Sequence, residues 1–197
     1  MTFLLGLTGS IGMGKSTTAA MFADEGCAVW DADAAVHRLY AKDGAAVGPI
    51  RAAFPQTVID DAISRDKLKE LIDEDRSVLT RIEKLVHPLV AKDRKAFLAR
   101  TQADIAVLDI PLLFETGAEA WLDAVAVVSV DFEEQKRRLM ERAKMTPAQL
   151  ETIQKMQAPD AQKRARADYV IETDTLEHAR EQVQAVVRQI KGELTNA

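Results

Sequence analysis

Hydrophobic and polar positions follow two rhythms along this chain. Five short, nearly unbroken apolar runs predict strands: Phe3-Leu4-Leu5-Gly6-Leu7-Thr8, Ala28 to Asp31, Ile105 to Asp109, Ala124 to Val130 and Tyr169-Val170-Ile171. Such runs lack a polar residue at every second position, as expected of strands buried on both faces. Segments with helical spacing stand between them. Lys15 to about Asp24 forms the first. The last begins near Asp174 and carries Leu176, Ala179, Val183, Val186, Val187, Ile190 and Leu194 as one stripe. Asp131, with Glu134 three positions later, opens a charged helix. Thr146-Pro147-Ala148-Gln149 reads as another helix start, and Pro88 as the first residue of a helix with His87 just outside it. Strands alternating with helices predict an α/β fold, a doubly wound parallel sheet of five strands.

Two segments fit that core poorly. From about Ala34 to Arg100 the pattern is mostly helical and too long for a simple crossover. Residues about 40–100 therefore read as a helical insert, and the charge-dense residues about 136–160 as a mobile flap. The sheet core is then about 1–39, 101–135 and 161–197. No repeat, low-complexity tract or Gly/Ser linker interrupts the chain.

The chemistry is written most plainly behind the first strand, in Gly9-Ser10-Ile11-Gly12-Met13-Gly14-Lys15-Ser16. This is the G-x-x-x-x-G-K-[ST] phosphate loop in its required context of strand, glycine turn and helix start. Glycines let successive backbone N–H groups point inward at phosphate oxygens, and the helix adds its positive N-terminal end. Gly9, Gly12, Met13, Gly14, Lys15, Ser16 and Thr17 are the predicted nucleotide contacts, with Lys15 on the terminal phosphates and the Ser16 hydroxyl on Mg²⁺. The fold expected is thus of the P-loop NTPase type, using ATP. The strand ending in Asp109 supplies the second candidate Mg²⁺ ligand.

Asp31-Ala32-Asp33 closes the second strand, where doubly wound sheets place their ligands. Transfer to a hydroxyl needs a carboxylate that orients the acceptor and takes its proton. Asp33 is the candidate base and Asp31 a turn or capping residue, the alternative being that both only cap the next helix. Lys136-Arg137-Arg138, Arg142 and Lys144 make the helix after the fourth strand basic, and Lys163-Arg164-Ala165-Arg166 forms a second cluster. Either cluster is a phosphate-neutralising face or simply a solvated one. His37, His87 and His178 are scattered and form no zinc-ligand pattern.

Composition narrows the class without naming it. The 197 residues are 47 % hydrophobic and 29 % charged, with a net charge of −5. That balance suits a globular protein and argues against an extended nucleic-acid surface. The single cysteine, Cys27, excludes an intramolecular disulfide and reads as a small buried hydrophobe. No apolar run approaches membrane-spanning length, and the N-terminus lacks a basic flank, so the expectation is a cytoplasmic protein that meets no membrane.

Together these segments resemble dephospho-coenzyme A kinases. The resemblance runs through Gly6 to Ser16, Asp31-Ala32-Asp33, Val86-His87-Pro88-Leu89, Leu108-Asp109-Ile110-Pro111-Leu112-Leu113-Phe114-Glu115 and Lys163 to Ile171. It implies ATP-dependent phosphorylation of the ribose 3′-hydroxyl of dephospho-CoA, with Asp33 as base and Lys15 on the phosphates. It implies Arg142 on the transferring group, and His87 with Pro111, Leu112 and Glu115 around the acceptor. It also implies a nucleotide core, a CoA-binding helical insert and a lid. The expected partners are the small molecules dephospho-CoA and ATP, and the chain is expected to act as a monomer. The chain departs from the family pattern at Ser10, where a second glycine is usual, and at Met13, where a small residue is usual. It departs again at Glu172-Thr173-Asp174, which lacks an asparagine, and at Met156-Gln157-Ala158-Pro159. Two alternatives stay open on the residues alone: another small P-loop kinase, for a nucleoside monophosphate or a small alcohol, and a non-catalytic nucleotide-dependent switch.

Overall fold

A computed structural model describes residues 2–143 and 158–196, and the chain divides into two compact units. One unit comprises Met1–Trp30 with Thr101–Ala197, and the other Asp31–Arg100.

The first unit is built on the sheet. Strands β1 (Phe3–Gly9), β2 (Ala28–Asp31), β5 (Ile105–Asp109), β6 (Ala124–Ser129) and β7 (Tyr169–Glu172) lie in the order β2-β5-β1-β6-β7. The pairings of β1 with β5, β1 with β6 and β6 with β7 are all parallel. Adjacent residues of β6 enter different cores. Ala124, Ala126 and Val128 pack with Leu5, Leu7 and Phe22, and with Val183, Val187 and Ile190 of the last helix. Val125 and Val127 pack with Leu113, Phe114 and Ala118. A period of two along a strand covered on both sides requires an unbroken apolar run, and that is the pattern the sequence carries. Helices α1 (Lys15–Asp24), α6 (Phe132–Ala143), α7 (Asp160–Arg166) and α8 (Leu176–Asn196) also belong to this unit. The expected start of α6 is present, since Asp131 Oδ1 accepts the Glu134 N–H at 3.0 Å. The expected helix start at Thr146-Pro147-Ala148-Gln149 lies outside the described residues.

The second unit holds α2 (Ala32–Tyr40), α3 (Val47–Ala53), α4 (Arg65–Glu74) and α5 (Ser77–Arg100) around Leu39, Ile50, Phe54, Leu68, Ile82 and Val86. Two features differ from the sequence expectation. Strands β3 (Val58–Ile59) and β4 (Ala62–Ile63) form an antiparallel hairpin inside the stretch read as helical. Its turn is Asp60-Asp61, with φ of 49° and 61°, the double left-handed geometry of a tight hairpin. Two-residue strands have no alternation to read, so only the turn could have marked them. Pro88 does not start a helix but lies inside α5, which runs through it. An interior proline forfeits one backbone hydrogen bond. The apolar positions on both sides of it, Val78, Ile82 and Val86 before and Leu89 and Val90 after, all pack into this unit's core, and that packing keeps the helix continuous.

Candidate active site

The phosphate loop is the turn from β1 into α1, and its conformation follows from its glycines. Gly12 and Gly14 have φ of 80° and 85°, where other residues are strained. A Cβ on Gly12 would lie 2.7 Å from Leu139 Cγ, so the loop backbone presses directly on α6. One face of α6 forms the wall behind the loop. Gln135 Nε2 donates to the Ile11 carbonyl at 2.7 Å, Leu139 covers Gly12, and Arg138 lies between them on the same face. Arg138 Nη1 donates to Thr173 Oγ1 at 3.1 Å, and its other terminal nitrogen donates to the Thr173 carbonyl. Thr173 Oγ1 in turn donates to the Met13 carbonyl at 2.9 Å. Glu134 braces the arrangement: hydrogen bonds from Arg137 and then Arg138 pull its carboxyl down to about 2. The side chain of Met13 is buried in the sheet core, leaving only its backbone for the loop.

This wall uses Gln135 and Leu139, which the sequence did not single out, and Thr173, which it marked only as part of a departure from the family pattern. The missing family asparagine near Glu172-Thr173-Asp174 is answered by a threonine that ties the end of β7 to the loop. Arg138 shares the helix with Arg142 but is bound into the wall. The Arg142 side chain, Lys144 and Gln157 lie outside the described residues.

Lys15 opens α1, and its ammonium contacts Asp109 Oδ1. Asp109 is the last residue of β5, opposite Leu7 of β1, and only 2 % exposed. A carboxylate this buried needs a cationic partner, and the strand register delivers it to the phosphate-loop lysine. Ser16 is exposed at the second position of α1, and its hydroxyl has no hydrogen-bond partner among the described residues. A neutral hydroxyl and a carboxylate are the hard oxygen donors that Mg²⁺ accepts, so this pair suits the ion. Thr17 is also exposed beside it.

On the other side of the loop, Lys163 is fully buried. Its Nζ lies 3.4 Å from Ser10 Oγ and 3.5 Å from Glu115 Oε1. Glu115 also accepts the Ala158 N–H at 2.9 Å. Burial pushes the Glu115 carboxyl up, but the Ala158 N–H and Lys163 outweigh it and hold the group below its usual range. The second basic cluster is therefore split. Lys163 points inward, Arg164 lies 3.5 Å from Glu172, and Arg166 pairs with Glu119 while its guanidinium sits 4.4 Å over the Phe114 ring. Helix α7 has no apolar stripe, so nothing in its sequence marked Lys163 as the inward residue. Of the predicted acceptor residues in this unit, the Pro111 carbonyl accepts from Thr8 Oγ1 at 3.1 Å, and Leu112 is 43 % exposed.

Asp33 and His87 belong to the helical unit. Asp31 is the N-cap of α2, its Oδ1 accepting the Ala34 N–H at 2.9 Å. That leaves Asp33 in the first turn, exposed and without a hydrogen bond or ion pair among the described residues. Asp33 lines a cavity of about 500 Å³ together with Val36, Tyr40, Arg65, Leu68, Lys69 and Ile72. His87 is exposed on α5 and is not among these lining residues.

The chain is similar over nearly its whole length to known proteins. The family model described as dephospho-CoA kinase matches residues 3–178. A dephospho-CoA kinase of Ruegeria pomeroyi is 66 % identical over 191 residues, covering 97 % of each chain. A solved structure from Thermus thermophilus superposes with a TM-score of 0.85 at 32 % identity, covering 95 % of this chain and 97 % of the other. The solved dephospho-CoA kinase of Campylobacter jejuni shares the fold, with a TM-score of 0.70 at 24 % identity, and the match covers 98 % and 100 % of the two chains.

Proposed function

This chain belongs to the dephospho-CoA kinase family, and from that premise we propose how its residues transfer the terminal phosphoryl group of ATP to the ribose 3′-hydroxyl of dephospho-CoA. Neither a different small P-loop kinase nor a non-catalytic switch is favoured by so close a relationship. The observation that carries the mechanism is the phosphate loop, braced by α6 and Thr173, with Lys15 at its end against buried Asp109.

Phosphoryl transfer asks little covalent work of a protein; positioning and charge stabilisation do most of it. The amides from Gly9 to Thr17 and the positive end of α1 hold the triphosphate. Lys15 meets the β- and γ-phosphates and follows the charge that develops on the transferring group. Ser16 and Asp109 would hold Mg²⁺, which when bound neutralises charge on the β- and γ-oxygens. Asp33 accepts the proton of the 3′-hydroxyl as the new O–P bond forms, and ADP leaves with the electrons of the broken one. Its assignment is supported by the division of labour at the start of α2, where Asp31 does the capping and Asp33 faces a cavity. Arg142 is assigned to the transferring group on its sequence position alone. His87, Pro111, Leu112 and Glu115 are assigned to the acceptor on the family resemblance alone, and Glu115 is held by Lys163. The proposed acting form is a monomer.

The test is phosphoryl transfer from Mg·ATP across dephospho-CoA, adenosine, AMP, UMP and shikimate, with product masses read directly. A product one phosphate heavier from dephospho-CoA, and little from the others, is expected. Preference for another acceptor would discard the substrate, and ATP hydrolysis indifferent to all of them would discard the transfer reaction.

A further inference from the structure

Lys163 is a fully buried cation, and the transfer mechanism gives it no task beyond holding Glu115. Helix α7 carries it there and fixes it. Ser129, the last residue of β6, donates through Oγ to Asp160 Oδ2 at 2.7 Å, which pins the first turn of α7. Just past the last turn, Asp168 Oδ2 accepts the Val125 N–H at 2.8 Å, and the Asp168 N–H donates to the Val125 carbonyl at 2.9 Å. Both ends of α7 are thus tied to one strand of the sheet, and Lys163 has little freedom except along its own side chain.

The ammonium stands where two segments leave the carboxyl ends of adjacent strands, the edge at which doubly wound sheets bind their ligands. Those strands are β1 and β5, with Leu7 opposite Asp109. Past that pair the Ile110 N–H donates to the Leu7 carbonyl at 2.9 Å, and Thr8 Oγ1 donates to the Pro111 carbonyl at 3.1 Å. Farther out a side chain takes over from the backbone. Lys163 bridges the phosphate loop and the segment after β5, its Nζ 3.4 Å from Ser10 Oγ and 3.5 Å from Glu115 Oε1. Both separations exceed the roughly 2.7–2.9 Å of a tight charge-assisted hydrogen bond, so the ammonium is shared between the two oxygens rather than closed onto one. A buried ammonium is costly without such partners, and the bridge is therefore the arrangement the packing selects.

We propose that Lys163 is a positioning residue for phosphoryl transfer: by holding Ser10 and Glu115 at once, it keeps the outer turn of the phosphate loop in register with the acceptor segment. The inference rests on the assignment of Pro111 to Glu115 to the acceptor. Transfer is sensitive to alignment, and a misplacement of about 1 Å costs on the order of 100-fold in rate. The loop amides and Lys15 bind the triphosphate whether or not the bridge is intact. Loss of the bridge therefore shows in turnover rather than in affinity for ATP.

The experiment is a double-mutant cycle on kcat with saturating Mg·ATP and dephospho-CoA, each variant first checked by thermal melt. Ser10→Ala removes the hydroxyl end of the bridge. Lys163→Met is combined with Glu115→Gln, so that no buried carboxylate is left without its cation. Arg164→Ala, at an exposed neighbour 3.5 Å from Glu172, is the control. The Lys163→Met/Glu115→Gln pair should lower kcat about 10- to 100-fold. Ser10→Ala should lower it about 3- to 10-fold by itself, as for one hydrogen bond, and less than about 1.5-fold once Lys163 is gone. KM for ATP should stay within about threefold throughout, and Arg164→Ala should match wild type. A purely structural role would instead give equal fold-losses from Ser10→Ala in both backgrounds, and that result would overturn the bridge. So would a kcat within twofold of wild type in the pair, or a loss confined to KM for ATP. Should the pair not fold, Ser10→Ala decides alone: a kcat within twofold of wild type overturns the bridge. A wild-type enzyme that does not phosphorylate dephospho-CoA would overturn the functional reading itself, and the bridge with it.

Discussion

Replacing Asp33 and Asp31 separately distinguishes chemistry from capping within three residues of one helix. Asp31 accepts the Ala34 N–H and caps α2, whereas Asp33 makes no such bond. Asp33→Asn keeps the shape and removes the proton acceptor. It loses only a first-turn charge, worth about 0.3–1 kcal/mol at an exposed helix N-terminus. For a chain of this size that is about 1–4 °C in Tm. Losing a positioned base should instead lower kcat about 100- to 10,000-fold, or about 2.7–5.4 kcal/mol in the barrier. Asp31→Ala should show the opposite balance. The lost cap costs about 0.5–2 kcal/mol of stability, while kcat falls less than about tenfold because Asp33 remains. The assay is steady-state ADP release with dephospho-CoA, paired with a thermal melt and KM for ATP, which neither change should move much. Turnover in Asp33→Asn within threefold of wild type would remove Asp33 from its role. Equal losses of activity in the two variants would mean that the helix start, not the carboxylate, matters.

Other expectations are more local. Gly12→Ala places a Cβ against Leu139 at a φ of 80°, so it should raise KM for ATP at least tenfold; pairing it with Leu139→Ala tests whether the steric contact is the cause. Burial pushes the Cys27 thiol up to about 11. Native protein at pH 7–8 should therefore resist a thiol reagent and react only on denaturation, and rapid native labelling would contradict the buried reading. The Glu115 carboxyl is held below its usual range in the folded state, so the unfolded state binds the proton more readily. Its stabilisation should be complete above an unfolded pKa of about 4.3 and fade as pH falls through the lower folded value. Glu115→Gln should accordingly lower Tm at pH 7 and lose that effect in acid; a deficit constant with pH would assign the loss to packing instead.

The parts of the site that the sequence disclosed are those whose signal is local. A phosphate loop is recognisable because backbone conformation demands glycine at fixed steps and charge demands Lys15 at its end. The strand leading into it is legible because burial on both faces forbids polar residues. Asp109 was found by its place at the end of such a strand. The N-cap role of Asp31 depends on residues one turn away, and the sequence offered it as one of two readings.

What remained hidden depends on residues far apart in the chain. Pro88 stays inside α5 because the core on both sides of it outweighs one lost hydrogen bond. Lys163 is drawn inward by Ser10 and Glu115, 153 and 48 positions away, and no periodicity within α7 could announce that. Gln135, Leu139 and Thr173 became the wall of the phosphate loop only when α6 and the end of β7 were packed against it. Local conformational demand and burial are written residue by residue. Which partner a charge meets, and what it faces, is decided by the tertiary packing that brings distant segments together.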